Sequence, residues 1–431
     1  MTSVWSAQLA DRRPCDPLDG DTTADVVIVG GGLTGLWTAY YLLDADAALD
    51  VLVVEAGEVG DGVSSRGIGA CSAELPVSPE RVALAYGRAA ALELRAAMRD
   101  AVVEVGGALA LEQVECGFTF GGELRVARGA AQVERIGELV ATAPAWGDEW
   151  QALDPAGVAE RALVPGVTAG AWTPDCAVVD PARLVRGLLD VLLARGARVA
   201  ERTTALRASP RAVVTDRGTV RAAHVLTAVE ATAPGLETGR TLAAVPTHGL
   251  ATPPLDAATW AEIGLEPGVV LRDAARLPVS ARRTTDGRLV LTGTGSAARL
   301  DRALASLFPA VTGPVTAPVA VRWSGHLGVA RDGLPSVTLD AATGRGDASG
   351  FASSGVAASN LAGRTLADLV TGVESPLTDL PWVGHRSPDW PVWGGAAMSV
   401  ALRAAERADD AEAAGRTSRA ALAVLDRFPL D

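Results

Sequence analysis

Short apolar runs and longer helical repeats alternate along this chain in the order of an α/β protein. Residues 25–29 (DVVIV) and 50–54 (DVLVV) are apolar runs too short for helices, and the stretch between them reads as a glycine turn followed by a helix. From 79 to 108, apolar residues recur at helical spacing, with Ser78 or the Ser-Pro pair as the start. Short strands fit 109–127, a short helix 129–140, and an irregular stretch with Pro and Trp 144–165. Asp180 as cap and Pro181 at the first position predict a helix over 181–195. Residues 197–229 alternate as strands, with a reversal at Asp216-Arg217-Gly218. More strands and turns fill 241–325, and an Ala-rich helical tail fills 394–426. Residues 1–24 are a lead-in, and no internal repeat is present.

The turn after 25–29 carries the most chemistry. Gly30, Gly32 and Gly35 have the G-x-G-x-x-G spacing. The first glycine allows a sharp turn, the second lets a pyrophosphate approach the backbone, and the third lets the helix lie close to the sheet. The helix then opens with Leu33 and Thr34 and offers N–H groups and a positive dipole end to that phosphate. Glu55 ends the second run, followed by Ala56, and its carboxylate suits ribose hydroxyls. The plainer reading is a strand-turn-helix that needed three glycines. A position this near the N-terminus fits FAD or NAD. The Gly- and Ser-rich stretch 56–72 (AGEVGDGVSSRGIGACS) directly after the acid suits a chain wrapping an extended FAD.

These residues resemble the FAD-dependent D-amino acid oxidase/sarcosine oxidase (DAO) superfamily, and within it members related to gamma-glutamylputrescine oxidase. Such relatives start like DADVVVVGGGYTGLWTAYYL and carry a loop like GASGRNGG after the acid. The segments 178–189 (VVDPARLVRGLL), 322–338 (RWSGHLGVARDGLPSVT), 351–370 (FASSGVAASNLAGRTLADLV) and 380–387 (LPWVGHRS) continue the similarity. The resemblance implies a Rossmann-like, glutathione-reductase-type FAD domain joined to an α+β substrate domain on a mostly antiparallel sheet. The FAD domain would be assembled from 1–78, 165–235 and 326–390. The substrate domain would take 79–164 and 236–325, with a helical tail over 391–431. It further implies oxidation of a C–N bond in a small amine or amino acid, with dioxygen as the electron acceptor and peroxide as a product. A flavoprotein with lost or nonoxidative activity, or a dehydrogenase serving another acceptor, is the alternative.

Composition narrows the partners. The formal net charge of −13 argues against nucleic acid or anionic membranes. No run of apolar residues is long enough to span a bilayer, and the first residues lack a basic-then-apolar leader. Cys15, Cys71, Cys116 and Cys176 are scattered without a C-x-x-C pair, which predicts reduced cytoplasmic thiols and no metal site. The chain contains no lysine. In sarcosine-oxidase-like enzymes a lysine beside the flavin commonly helps electrons reach dioxygen. Here an arginine, a protonated histidine or the substrate cation must serve, or the oxidant is not oxygen.

Several residues become site candidates through the resemblance. Ser64, Ser65 and Arg66 belong to the loop after the acid, near the pyrophosphate or the inner edge of the flavin. For Arg66 an active-site role and a phosphate-pairing or surface role are both open. Ser353, Ser354, Gly355 and Val356 form the closing turn, whose backbone would face the pyrimidine end of the ring. Arg331 and Asp332 lie at the same end, where Asp332 is a cofactor candidate and a structural pair is the other reading. His326 is the first catalytic candidate, as a cation for oxygen or an acid/base, against a packed or surface histidine. His248 is the second, while His224 and His385 read as structural. Trp323 either walls the pocket or fills the core. A tethering cysteine would fall near Gly325 and a carboxylate-pairing lysine near Ala357, so noncovalent FAD and a substrate not held by that pair are expected. The segment 281–308 reads as shorter than in relatives, which predicts an opened or reshaped pocket.

Overall fold

A computed structural model gives the fold and describes residues 3–6, 12–232, 236, 240–311 and 319–427. The expected domain edge at 235 and the last four residues of the tail lie outside the described residues. The strand Thr22–Val29 runs parallel to Val51–Val54 on one side and to Thr219–Thr227 on the other. Arg198–Ala200 extends the parallel set beyond Val51–Val54, and Arg345–Ser349 extends it beyond Thr219–Thr227. Both faces are covered, so Val26, Val27, Ile28 and Val29 are all buried, and the run shows no alternation. Antiparallel strands Ala205–Ser209, Ala212–Thr215 and Ser336–Asp340 complete this eight-stranded sheet.

Helix Leu33–Ala45 crosses from the first strand to the second and packs against helix Gly355–Thr371. The approach is close at Gly363. A Cβ there would lie 2.8 Å from Thr38 N and from the carbonyl carbon and Cβ of Trp37. Two of these atoms are backbone and cannot swing away. Overpacking of this kind costs about 1–3 kcal/mol, more than the roughly 1 kcal/mol that alanine gains over glycine in a helix. Gly363→Ala is therefore expected to lower the urea midpoint with an unchanged slope.

A second eight-stranded sheet is antiparallel except where Val270–Asp273 runs parallel to Glu123–Ala127. Leu124, Leu250, Leu271, Leu289, Leu291 and Phe308 fill its core beneath helix Ala297–Leu307. The tail helix Gly394–Ala413 lies against strand Leu242–Ala251, joining Met398 and Leu402 to Ala243, Val245 and Leu277.

The expected elements differ from this in a few places. The helix over 79–108 is two helices, Pro79–Tyr86 and Arg88–Leu111, broken at Gly87 with φ 91°. Helices Ala257–Ile263 and Ala297–Leu307 interrupt a region read as strands and turns. Strand Ala169–Thr173 joins the second sheet through Glu123–Ala127, although the expected boundary put it with the nucleotide domain. Strand Val321–Ala330 likewise belongs wholly to the second sheet and crosses the 325/326 boundary. Alternation shows that a strand exists, but its sheet is set by hydrogen-bond partners remote in sequence. Asp180 caps helix Pro181–Ala194 through its side chain, as the sequence predicts.

Candidate active site

The carboxyl ends of Thr22–Val29, Val51–Val54 and Thr219–Thr227 open on one edge, the usual ligand position of a parallel sheet. Gly30 turns there with φ 112°, and a Cβ on it would lie 2.5 Å from the Ala228 carbonyl oxygen. A Cβ on Gly35 would overlap the Gly30 carbonyl oxygen. The helix therefore starts directly over the turn. Gly32 is its N-cap and supplies no side-chain hydrogen bond. Instead Leu33 N donates to Ser64 Oγ at 3.0 Å, so the loop after the acid folds back onto the helix N-terminus. Glu55 accepts from Gly31 N at 2.8 Å through Oε2 and from Gly57 N at 2.9 Å through Oε1. Each carboxylate oxygen keeps a lone pair for a hydroxyl. A bare glycine cradle, a helix N-terminus and a fixed acid beside it fit the pyrophosphate and ribose of an adenine dinucleotide.

Glu55→Ala removes both backbone anchors and the ribose acceptor. Hydrogen bonds to a charged group contribute about 1.5–3 kcal/mol each. FAD affinity is expected to fall roughly ten- to a hundredfold, read by titrating the stripped protein with FAD.

A second buried acid supports this edge. Glu201 is fully buried and accepts from Val59 N at 2.5 Å, from Cys15 N and from the Arg12 guanidinium. It fastens the lead-in to the loop that follows Glu55.

From Leu33, Thr34 and Ser64 a cavity of about 360 Å³ runs between the two sheets. Ser353, Gly355 and Val356 line it at the N-terminus of helix Gly355–Thr371, whose positive dipole end favours negative charge. Thr247, Leu327 and Val329 line it from the second sheet, and Leu277, Trp390, Met398 and Leu402 add an apolar part of the wall. Arg272, Arg276 and Arg331 also border it. Arg272 is bound to Glu74 at 2.8 Å, and Arg276 to Glu412 at 3.1 Å. Arg331 donates to the Asp389 carbonyl at 3.0 Å.

Glu230 is the one acid among the described residues lining the cavity. It follows the central strand Thr219–Thr227 with φ 51°, a conformation uncommon for a residue with a side chain. Its carboxylate accepts from Gly350 N and Phe351 N, each at 3.2 Å, and so ties the strand end to the closing turn. Burial pushes this acid up to about 7, against the two N–H bonds that favour its ionised form; Asp347 adds to the rise. Ala352, beside it, also has positive φ, 48°. Strained residues clustered at one cavity edge are a mark of function.

The expected residues separate into groups. Leu33, Thr34, Ser64, Ser353, Gly355 and Val356 meet at the cavity. Gly30, Gly32, Gly35 and Glu55 form the turn beyond it, with Ala56 exposed beside the acid. Ser65 and Ser354 are buried behind the lining. Arg66 does not line the cavity; it donates to the carbonyls of Asp61 at 2.6 Å and Ser324 at 3.4 Å. Asp332 is turned away and pairs with His385 Nε2 at 3.0 Å. His326 is exposed on strand Val321–Ala330, one residue before the lining stretch that starts at Leu327, and does not itself line the cavity. His248 pairs with Ser324 on the neighbouring strand, one residue out of phase with Thr247, and also misses the cavity. Trp323 is core, with Nε1 donating to the Arg66 carbonyl at 2.8 Å. Glu230 escaped the sequence reading, although 225–230 (VLTAVE) repeats the apolar-run-then-acid pattern of 51–55 (VLVVE).

Known proteins share this fold. Gamma-glutamylputrescine oxidoreductase of Escherichia coli is 27% identical over 231 residues, 53% of this chain and 54% of that protein. The chain thus spans about half the length of that curated relative. Among solved structures, glycine oxidase from Geobacillus kaustophilus superposes with a TM-score of 0.70 at 22% identity, over 85% of this chain and 99% of that one. L-proline dehydrogenase from P. horikoshii superposes with a TM-score of 0.68 at 16% identity, over 85% and 98%. These likenesses establish the fold. The family model described as FAD dependent oxidoreductase (DAO) matches residues 25–369. The chain belongs to the DAO family of FAD-dependent oxidoreductases.

Proposed function

We propose that this protein oxidises a carbon–nitrogen bond in a small amine or amino acid, using noncovalently bound FAD and passing the electrons to dioxygen with release of peroxide. The observation that carries this reading is the single cavity that begins at the glycine-turn helix and ends among side chains of the second sheet. The relatives' names, gamma-glutamylputrescine oxidoreductase and glycine oxidase, supply the substrate class. When bound, FAD supplies the acceptor for an electron pair from the carbon next to nitrogen.

The chain's own residues hold and tune. Gly30, Gly32, Leu33 and Thr34 receive the pyrophosphate, and Glu55 the ribose. Backbone groups of Ser353–Gly355 and the helix they start stabilise negative charge at the other end. The substrate amine must be neutral, since its lone pair stabilises the developing iminium, and no side-chain base is obligatory. Glu230 holds its proton on the carboxyl beside Gly350 and Phe351 below about neutral pH and releases it above. With no lysine in the chain, and with His326 and His248 off the cavity, positive charge for oxygen reduction falls to an arginine, and Arg331 is the lining arginine hydrogen-bonded to a backbone carbonyl. We read the nucleotide and substrate sheets as two domains, and the four unpaired cysteines as those of a cytoplasmic enzyme.

The test is anaerobic mixing with a panel of amines and amino acids, followed by air. Bleaching, then recolouring with peroxide, is the expected result. Bleaching without peroxide assigns a different electron acceptor. No bleaching with any compound removes the oxidative reading.

A further inference from the structure

The family match ends at residue 369, yet Trp390, Met398 and Leu402 beyond it face the cavity. Met398 and Leu402 stand one turn apart on helix Gly394–Ala413 and are 6% and 7% exposed, packed with Leu277 and Val245. The helix is clamped to the second sheet by charge. Asp409 accepts from Arg276 N at 2.8 Å and Leu277 N at 3.1 Å. Glu412 pairs with Arg135 at 2.7 Å and Arg276 at 3.1 Å. Glu406 accepts from Ser296 N. Trp390 Nε1 donates to the Val329 carbonyl at 3.1 Å, which leaves its ring as wall. The tail is therefore a fixed, apolar wall of the cavity.

That wall offers little to a charged group. Arg272 and Arg276 are both held by acids, and Arg331 donates to the Asp389 carbonyl. A distal ammonium or carboxylate set against the apolar side chains of Met398, Leu402 and Leu277 would lose its hydration there, at a cost of several kcal/mol. An alkyl or aryl group there gains roughly 25 cal/mol for each Å² of apolar surface removed from water.

We infer that the C-terminal helix forms the specificity wall of the site and that the preferred ligand is an amine whose far end is apolar. The amine half of this statement rests on the proposed oxidation; the apolar half rests on the wall alone. The test uses the full-length, FAD-loaded protein and three six-carbon ligands: hexylamine, 1,6-diaminohexane and 6-aminohexanoate. Binding is read anaerobically from the perturbation of the flavin spectrum, and reduction from its bleaching. Hexylamine is expected to bind at least tenfold more tightly than the other two. Leu402→Asp is expected to erase that preference. Met398→Gln, a milder change, is expected to weaken hexylamine several-fold with FAD content retained. The inference is overturned if the diamine or the amino acid binds as tightly as hexylamine, if hexylamine does not bind, or if neither variant alters the preference. Tight hexylamine binding with no reduction by any amine would remove the proposed oxidation and leave the wall standing. Reduction by the diamine with equal binding would do the reverse.

Discussion

Gly35→Ala is expected to strip the protein of FAD and to destabilise it, whereas Gly62→Ala should leave both unchanged. The added methyl would overlap the carbonyl oxygen of Gly30, which is backbone in the tight turn proposed to receive the pyrophosphate. Neither partner can yield cheaply. Gly30 is fixed by its N–H to the Val54 carbonyl at 2.8 Å, and the helix is buried along most of its length. Relief requires the helix to lift from the sheet, which carries its N-terminus away from the phosphate. Overpacking costs about 1–3 kcal/mol, and the displaced dipole and N–H groups account for about as much again in cofactor binding. At Gly62, φ is −79° and a Cβ would meet nothing within 4 Å. The check is flavin absorbance of the purified variants together with melting in the presence and absence of added FAD. A yellow, wild-type-like Gly35→Ala protein would contradict the geometry.

Glu230→Gln is expected to flatten the pH dependence of stability between about 4.5 and 7. In the unfolded chain this acid titrates near 4.5, and in the fold near 7. Below 4.5 both states hold the proton and the group contributes fully. As pH rises through the window the unfolded chain releases a proton that the native state keeps, so native stability falls, and above 7 the difference is constant. The drop amounts to about 3 kcal/mol. Asp347, raised to about 6 by burial, acts in the same direction over a lower window and remains in the variant. Urea titrations of the FAD-loaded proteins at pH 4.5 to 8 should show wild type losing stability more steeply than Glu230→Gln. Parallel curves would mean that the carboxyl is not held protonated. Because Glu230 borders the cavity, anaerobic flavin reduction in wild type should also show a step near pH 7 that the variant lacks.

The nucleotide end of the site was legible because it is local. Three glycines, a helix start and an acid lie within about one strand-turn-helix-strand unit, and each has a requirement that the backbone imposes directly. The capped helix at Asp180 was legible for the same reason. The substrate end was not. His248 is in the right strand, but one residue of register decides which face a side chain takes, and register is set by pairing across strands far apart in sequence. His326 stops one residue short of the lining stretch Leu327–Ala330 and stays exposed. Arg66 sits in the right loop, yet its guanidinium is spent on two carbonyls of the fold. The short 281–308 segment suggested an opened or reshaped pocket, without showing what would stand beside it. The tail helix stands there, with Glu406 bonded to Ser296 and close against Gly295. Its helical period was plain in the sequence; its place as a cavity wall depends on tertiary packing. Glu230 carried a visible signal, an acid at the end of an apolar run, and its neighbours in space, Gly350 and Phe351, are what give that signal meaning.

The most direct measurement is chemical. Protein purified after flavin supplementation is denatured and the released small molecule identified. The account predicts a yellow native protein that yields intact FAD in near-stoichiometric amount, without a covalent flavin adduct. Correctly folded protein that stays colourless and releases no adenine flavin would contradict it.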